Sequence, residues 1–132
     1  MLKRIRRRFG DRVAQVVEEC SDAFVKPKPP WRKRKKAYLS ALPHKSPDTL
    51  LVSLADKVHN ARAIVSDYKR HGDDLWSRFH AGKKDQLWYY TELVRGFRST
   101  AMHRQLFQEL EHVVEELQRL TARTPRRTRA NR

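Results

Sequence analysis

Residues 46–65, SPDTLLVSLADKVHNARAIV, form the most apolar run in a chain otherwise crowded with arginine and lysine. Ser46 is placed to cap a helix whose first residue is Pro47, with Asp48 beside the positive helix end. Within it Leu50, Leu51, Val52, Leu54, Ala55, Val58, Ala61, Ile64 and Val65 cover nearly every direction around the axis, a pattern that predicts a buried helix. Asp56 lies in the middle of this run, with Asn60 one turn later on the same face. A buried carboxylate is costly unless it is paired, hydrogen-bonded or bound to a cation. The stretch therefore constrains fold and chemistry together: other helices must wrap it, and Asp56 must have a partner.

The flanking sequence supplies helices and little else. Leu2, Ile5 and Phe9 stand at helical spacing among basic residues, and Gly10 breaks that helix. Asp11 opens a second helix, with Val13, Val16, Val17 and Cys20 on one face and Ser21-Asp22 at its end. Residues 26–30, Lys-Pro-Lys-Pro-Pro, predict an extended loop, followed by Trp31 as an anchor. The basic run Arg32 to Lys36 leads into Ala37, Tyr38, Leu39 and Leu42, a short helix stopped by Pro43. After the central helix, His71-Gly72-Asp73-Asp74 reads as a turn and Leu75 to Phe79 as a helical turn. A further helix is expected from Asp85 to Phe97. Ser99 or Thr100 then caps a last one with Leu106, Leu110, Val113, Leu117 and Leu120 in a stripe, broadened by Phe107 and Val114. Alternating apolar runs of the strand type are scarce. The expectation is an all-α single domain of about five or six helices over residues 1–122, with a basic disordered tail at 123–132.

Charge and cysteine usage narrow the partners. The formal net charge of +15 on 132 residues works against compaction and favours an anionic partner. The single cysteine, Cys20, excludes an intrachain disulfide and fits a reducing cytoplasm. No run approaches the roughly 18 apolar residues of a membrane span, so no membrane partner is expected.

For Asp56 the residues leave alternatives open. It can pair with His59 or with a basic side chain of another helix, or lie at the helix surface. It can also serve as a metal ligand, since an inward carboxylate with an amide one turn on and a lysine alongside suits a hard cation and a phosphate group.

The run LADKVHNARAI resembles the last signature of the HD-superfamily metal-dependent phosphohydrolases, closest to the RelA/SpoT-type (p)ppGpp hydrolase domain and its small stand-alone relatives. RRRFGDRVAQVVEECSD, KPPWRKRKKAYL and WYYTELVRGF resemble further helices of that domain, so the similarity covers most of residues 4–97. The resemblance implies an HD-like helical fold and removal of pyrophosphate from the 3′ position of a phosphorylated guanine nucleotide. It implies a divalent metal, Mn2+, with Asp56 as its last protein ligand, and Lys57 and Asn60 beside the nucleotide. It also directs a basic residue from Lys28–Arg32 and a tyrosine from Tyr89–Tyr90 toward the substrate.

The family's His, its His-Asp pair and the acidic pair after it all precede the segment that residues 4–22 resemble. His44, His59, His71, His80, His103 and His112 include no His-Asp dipeptide. The reading is thus an N-terminally truncated domain, catalytically incomplete as it stands, with no catalytic residue assigned. Exposed apolar surface on the central helix then predicts self-association. The alternative is a non-catalytic basic helical protein that binds nucleic acid or nucleotides through Lys3–Arg8, Lys26–Lys36 and Arg123–Arg132.

Overall fold

The computed structural model describes residues 2–20, 30–79 and 81–130, and these contain helices and connecting turns with no strand. The elements are α1 (Leu2–Phe9), α2 (Asp11–Cys20), α3 (Trp31–Ala41), α4 (Pro47–His71), α5 (Lys83–Thr100) and α6 (Arg104–Ala130). Two 3₁₀ segments, Leu42–His44 and Gly72–Arg78, join α3 to α4 and lead from α4 toward α5. The all-α architecture expected from the sequence is what the chain adopts. The Lys-Pro-Lys-Pro-Pro loop lies outside the described residues except for Pro30.

α4 is the axis of the domain, 25 residues and about 37 Å long. Ser46 caps it as expected: its Oγ accepts the Thr49 N–H at 3.2 Å and donates to Thr49 Oγ1 at 3.1 Å. Lys69, Arg70 and His71 sit in its last turn, where cations suit the negative helix end. Gly72, at φ +61°, ends it. The inner arc carries Leu50, Leu54, Val58, Ala61, Ile64, Val65 and Tyr68. These pack in one cluster with Leu93 and Phe97 of α5 and Leu110, Val113, Val114 and Leu117 of α6. Leu42 and Leu75, from the two 3₁₀ segments, close its edges.

α4 is not buried all round, which corrects the reading made from its composition. Leu51 is 43% and Val52 48% exposed, and Ala55 and Asp56 lie on the same open side. The reason is geometric: α5 and α6 cover one arc, while α2 meets α4 near its N-terminal end, where Arg12 hydrogen-bonds Asp48 and Ala14 is fully buried.

Other boundaries shift for identifiable reasons. The basic run 32–36 is itself helical, because α3 starts at Trp31 directly after Pro30. Ser99 and Thr100 do not cap α6; their hydroxyls donate back to the Gly96 and Phe97 carbonyls within α5. The turn instead runs through Ala101 and His103, both with positive φ (58° and 54°). His103 Nε2 lies 2.9 Å from the Pro47 carbonyl, so that nitrogen carries the hydrogen and ties the α5–α6 turn to the start of α4.

The helical backbone of α6 continues to Ala130, into the segment expected as a disordered tail. Pro125 has no N–H to offer the Thr121 carbonyl one turn back. Lys83 Nζ takes that carbonyl at 3.1 Å. The same ammonium lies 3.8 Å from Asp73, whose Oδ1 accepts from the Tyr68 hydroxyl (2.9 Å) and the Trp76 indole N–H (3.1 Å). This polar knot joins the ends of α4 and α6 to the start of α5.

Two stability outcomes follow. Ala101→Gly relieves a left-handed position and is expected to stabilise the chain by about 0.5–1 kcal/mol in urea unfolding. The hydrogen bond from Arg12 holds the Asp48 carboxyl below its usual range, and Lys69 does the same for Glu116, with burial opposing slightly in each case. Carboxylates with lowered folded pKa values contribute stability above their unfolded values, about 4, and lose it as pH falls through the folded ones. The melting temperature should therefore hold from pH 7 to about 5 and fall below about 4. The Asp48→Asn/Glu116→Gln double variant should start lower and fall less.

Candidate nucleotide-facing site

Asp56 projects from the open side of α4 with its side chain 56% exposed. The expectation of a carboxylate sunk in a buried helix is corrected, since the arc that carries Asp56 is the uncovered one. Its partners come from its own helix: Asn60 Nδ2 donates to Oδ2 at 3.3 Å, and Lys57 Nζ lies 3.4 Å from the same oxygen. Asp56, Lys57 and Asn60, singled out from the sequence, are thus brought together. His59 is exposed, and no hydrogen bond or ion pair joins it to Asp56 among the described residues.

Lys57 is the most enclosed of the three, with only 14% of its side chain exposed. Its stem runs between helices, and its ammonium stands 4.8 Å from the centre of the Tyr38 ring and 5.9 Å from that of Tyr89. Further cations gather on the same aromatic surface. Lys45 Nζ lies 4.6 Å from the Tyr38 ring, and Lys35 Nζ 5.0 Å from Tyr89 and 5.9 Å from Trp31. The Arg32 guanidinium lies 3.9 Å from the Trp88 ring and pairs with Asp85 at 3.1 Å. The rings support one another edge to face: Trp31 meets Trp88 at 6.3 Å and Tyr89 at 5.9 Å, and Tyr89 meets Tyr90 at 5.6 Å.

Each cation–ring contact adds about 0.5–1 kcal/mol at exposed sites, so the rings hold the cations in place without neutralising them. α3, α4 and the link before α4 thereby present Arg32, Lys35, Lys45 and Lys57 on aromatic faces beside the Asp56 carboxylate. Such a surface is built to take phosphate groups and a flat ring. Tyr90 lies behind it. Burial pushes its phenol well above the usual pKa, and the Asp56 carboxylate pushes the same way, so the hydroxyl keeps its proton.

Part of this surface was not read from the sequence. Trp31, an anchor, and Tyr38, an apolar position, were also legible as aromatics beside the basic blocks of the nucleic-acid alternative, but not as faces that hold particular cations. Lys45, in the link before α4, carried no signal. The basic run alternating with Trp and Tyr was the available clue, but which cation meets which ring depends on how α3 lies across α5.

The residues present do not by themselves fit a divalent cation. No three His, Cys, Asp or Glu side chains come together to hold a metal ion among the described residues. The partners of Asp56 are both hydrogen-bond donors, and an ammonium cannot ligate. A groove of about 720 Å³ between α4 and α6 is bridged by Arg62–Glu109 (2.6 Å) and Lys69–Glu116 (3.0 Å).

Fold and surface together define an all-helical domain with a cationic, aromatic-walled face around one carboxylate. Residues 1–87 match the family model described as HD domain, and the chain belongs to the HD-domain family. It is similar to the Homo sapiens guanosine-3′,5′-bis(diphosphate) 3′-pyrophosphohydrolase MESH1, 32% identical over 108 residues, covering 82% of this chain and 54% of that protein. The Xenopus tropicalis protein of the same name is 35% identical over 92 residues, covering 70% and 46%. The chain spans about half the length of the curated relatives it matches. The crystal structure of lmo0812 from Listeria monocytogenes EGD-e shares the fold, with a TM-score of 0.75 at 21% identity, covering 89% of this chain and 76% of that one. Among the described residues no helix is long and apolar enough to cross a membrane.

Proposed function

We propose that this chain carries the Asp56 side and the nucleotide-holding wall of an HD-type phosphohydrolase site that acts on guanosine-3′,5′-bis(diphosphate) at its 3′-pyrophosphate. The supporting observation is the enclosed Lys57 ammonium, held between two tyrosine rings beside Asp56 and flanked by Lys45, Lys35 and Arg32. The activity named for the similar pyrophosphohydrolases has a substrate of matching chemistry: two pyrophosphate groups and a guanine base.

In this reading Lys57 contacts a phosphoryl oxygen, and the Asn60 amide turns from Asp56 to the nucleotide. Asp56 is one ligand of a divalent cation, Mn2+. Because the other described groups around Asp56 do not ligate, the remaining metal ligands come from outside the described residues. The setting is the cytoplasm, in keeping with the lone cysteine. The uncovered Leu51 and Val52 promote self-association of the isolated chain.

The 132-residue chain is expected to bind guanosine-3′,5′-bis(diphosphate) with an affinity that falls with salt, and to release no pyrophosphate with Mn2+. Lys57→Ala should weaken binding about 10- to 100-fold, the scale of a charge-assisted contact. A longer form, with an in-frame His and His-Asp pair encoded upstream of Met1, should release pyrophosphate with Mn2+ and lose that activity in Asp56→Ala. Equal affinity for RNA and nucleotide, unmoved by Lys57→Ala, would overturn the reading in favour of general polyanion binding.

A further inference from the structure

Lys3, Arg4, Arg6, Arg7 and Arg8 place five cations in the eight residues of α1, and no acidic side chain stands in its first turn. All five are exposed. Arg6 is matched to Asp11 at 3.0 Å, but Lys3, Arg4, Arg7 and Arg8 have no carboxylate partner among the described residues. Lys3 and Arg7 stand one turn apart, as do Arg4 and Arg8, and like charges so placed destabilise a helix. Cations in the first turn also oppose the helix dipole. A partner that carries several negative charges at fixed spacing relieves both effects.

Elsewhere the described cations are more often matched. Arg62, Lys69 and Arg98 meet glutamates of α6, and Arg32, Lys35, Lys45 and Lys57 lie on aromatic rings. In α1 only Arg8 has a ring contact, 5.8 Å from the centre of Phe9, and that ring is itself 60% exposed. α1 packs on α2, which in turn meets α4, and its cationic side is left open.

The geometry selects the kind of polyanion. With about 100° between successive residues, Lys3–Arg7 and Arg4–Arg8 form two rows about 100° apart around the helix, each about 6 Å long. A flat anionic surface faces only one such row squarely. A groove with phosphates on both walls faces both. The helix is about 12 Å long. The major groove of B-form DNA, about 12 Å wide, admits an α-helix, whereas that of duplex RNA is deep and narrow. Three of the four open cations are arginines, which take phosphate in a bidentate fashion.

We propose that α1 docks in the major groove of double-stranded DNA, its Lys3–Arg7 and Arg4–Arg8 rows each meeting the phosphates of one strand. The contact is with the backbone and carries no base readout. It shares no residue with the surface around Lys57 and does not depend on the reading of that surface.

The test is binding of the 132-residue chain to a labelled DNA duplex of about 20 base pairs, followed by fluorescence anisotropy from about 50 to 200 mM salt. Lys3→Gln/Arg4→Gln/Arg7→Gln/Arg8→Gln should flatten the slope of log affinity against log salt by about 3 to 4, the counterions released by four phosphate contacts. Its melting temperature should hold or rise, since the repulsion within α1 is removed. Arg4→Gln/Arg8→Gln, which keeps the other row, should lose about half of that slope. Lys33→Gln/Lys36→Gln/Lys84→Gln/Arg104→Gln removes the same charge from exposed positions of α3, α5 and α6 and should change the slope by less than about 1. Equal losses in the two quadruple variants would reduce the effect to net charge and overturn the docking of α1. Equal affinity for a single strand of the same length removes the groove, and a larger loss on phosphatidylserine vesicles than on the duplex makes the partner a membrane; either result sinks the proposal. Lys57→Ala should leave duplex binding unchanged. A loss there as large as in the α1 variant would put the DNA on the nucleotide-facing surface instead.

Discussion

The packing of the inner arc of α4 against α5 and α6 sets everything else in this molecule. Leu54 at 1% exposure, with Ala61, Leu93, Leu110 and Leu117 at 0%, leaves no room for the helix to rotate about its axis. Apolar burial of this kind supplies the main driving force, about 25 cal/mol per Å² removed from water. Because side chains advance by a fixed angle per residue, locking the Leu54–Val58–Ala61 arc inward also fixes the neighbours. Asp56 must point out, and Lys57 must run along the boundary where α3 and α5 meet α4. The candidate site is a by-product of core packing: the hydrophobic face determines where the charged one falls.

A chain with a net charge of +15 needs a way to place cations close together, and aromatic rings provide it here. In α3, Arg32 and Lys35 lean on rings of α5 or of α3 itself, while Lys45 and Lys57 share Tyr38. Ring faces attract these cations without cancelling them, as carboxylates would. Elsewhere the molecule takes the other course. Arg62, Lys69 and Arg98 are each matched to a glutamate of α6. The contrast separates a surface where cations meet aromatic rings from one where they meet the glutamates of α6.

The interior shows the same division in its polar groups. Asp73 gathers Tyr68, Trp76 and Lys83 into a satisfied knot, and Lys83 also takes the Thr121 carbonyl that Pro125 cannot serve. This end of the domain is finished as structure. The α5 end facing α3 and α4 buries Tyr90 and Gln86 without partners for their side chains among the described residues.

Local signals in the amino-acid sequence were enough to specify the helices. Ser46-Pro47 opened α4, Gly10 and Gly72 broke the chain at positive φ, and the Leu106 to Leu120 stripe defined α6. The motif around Asp56 was legible because Asp56, Lys57 and Asn60 lie within two turns of one helix, and their proximity needs no tertiary contact. Sequence also erred where composition stood in for coverage: Leu51 and Val52 are as apolar as Leu50 and Leu54, and nothing in the chain marks which arc is covered. Only the tertiary structure decided that Asp56 is half open and Lys57 enclosed. Only it set Trp31 beside Tyr89 and brought Tyr38 and Tyr89 together around Lys57. Periodicity tells which residues share a face of a helix, whereas the partner of that face is fixed by how separate helices pack.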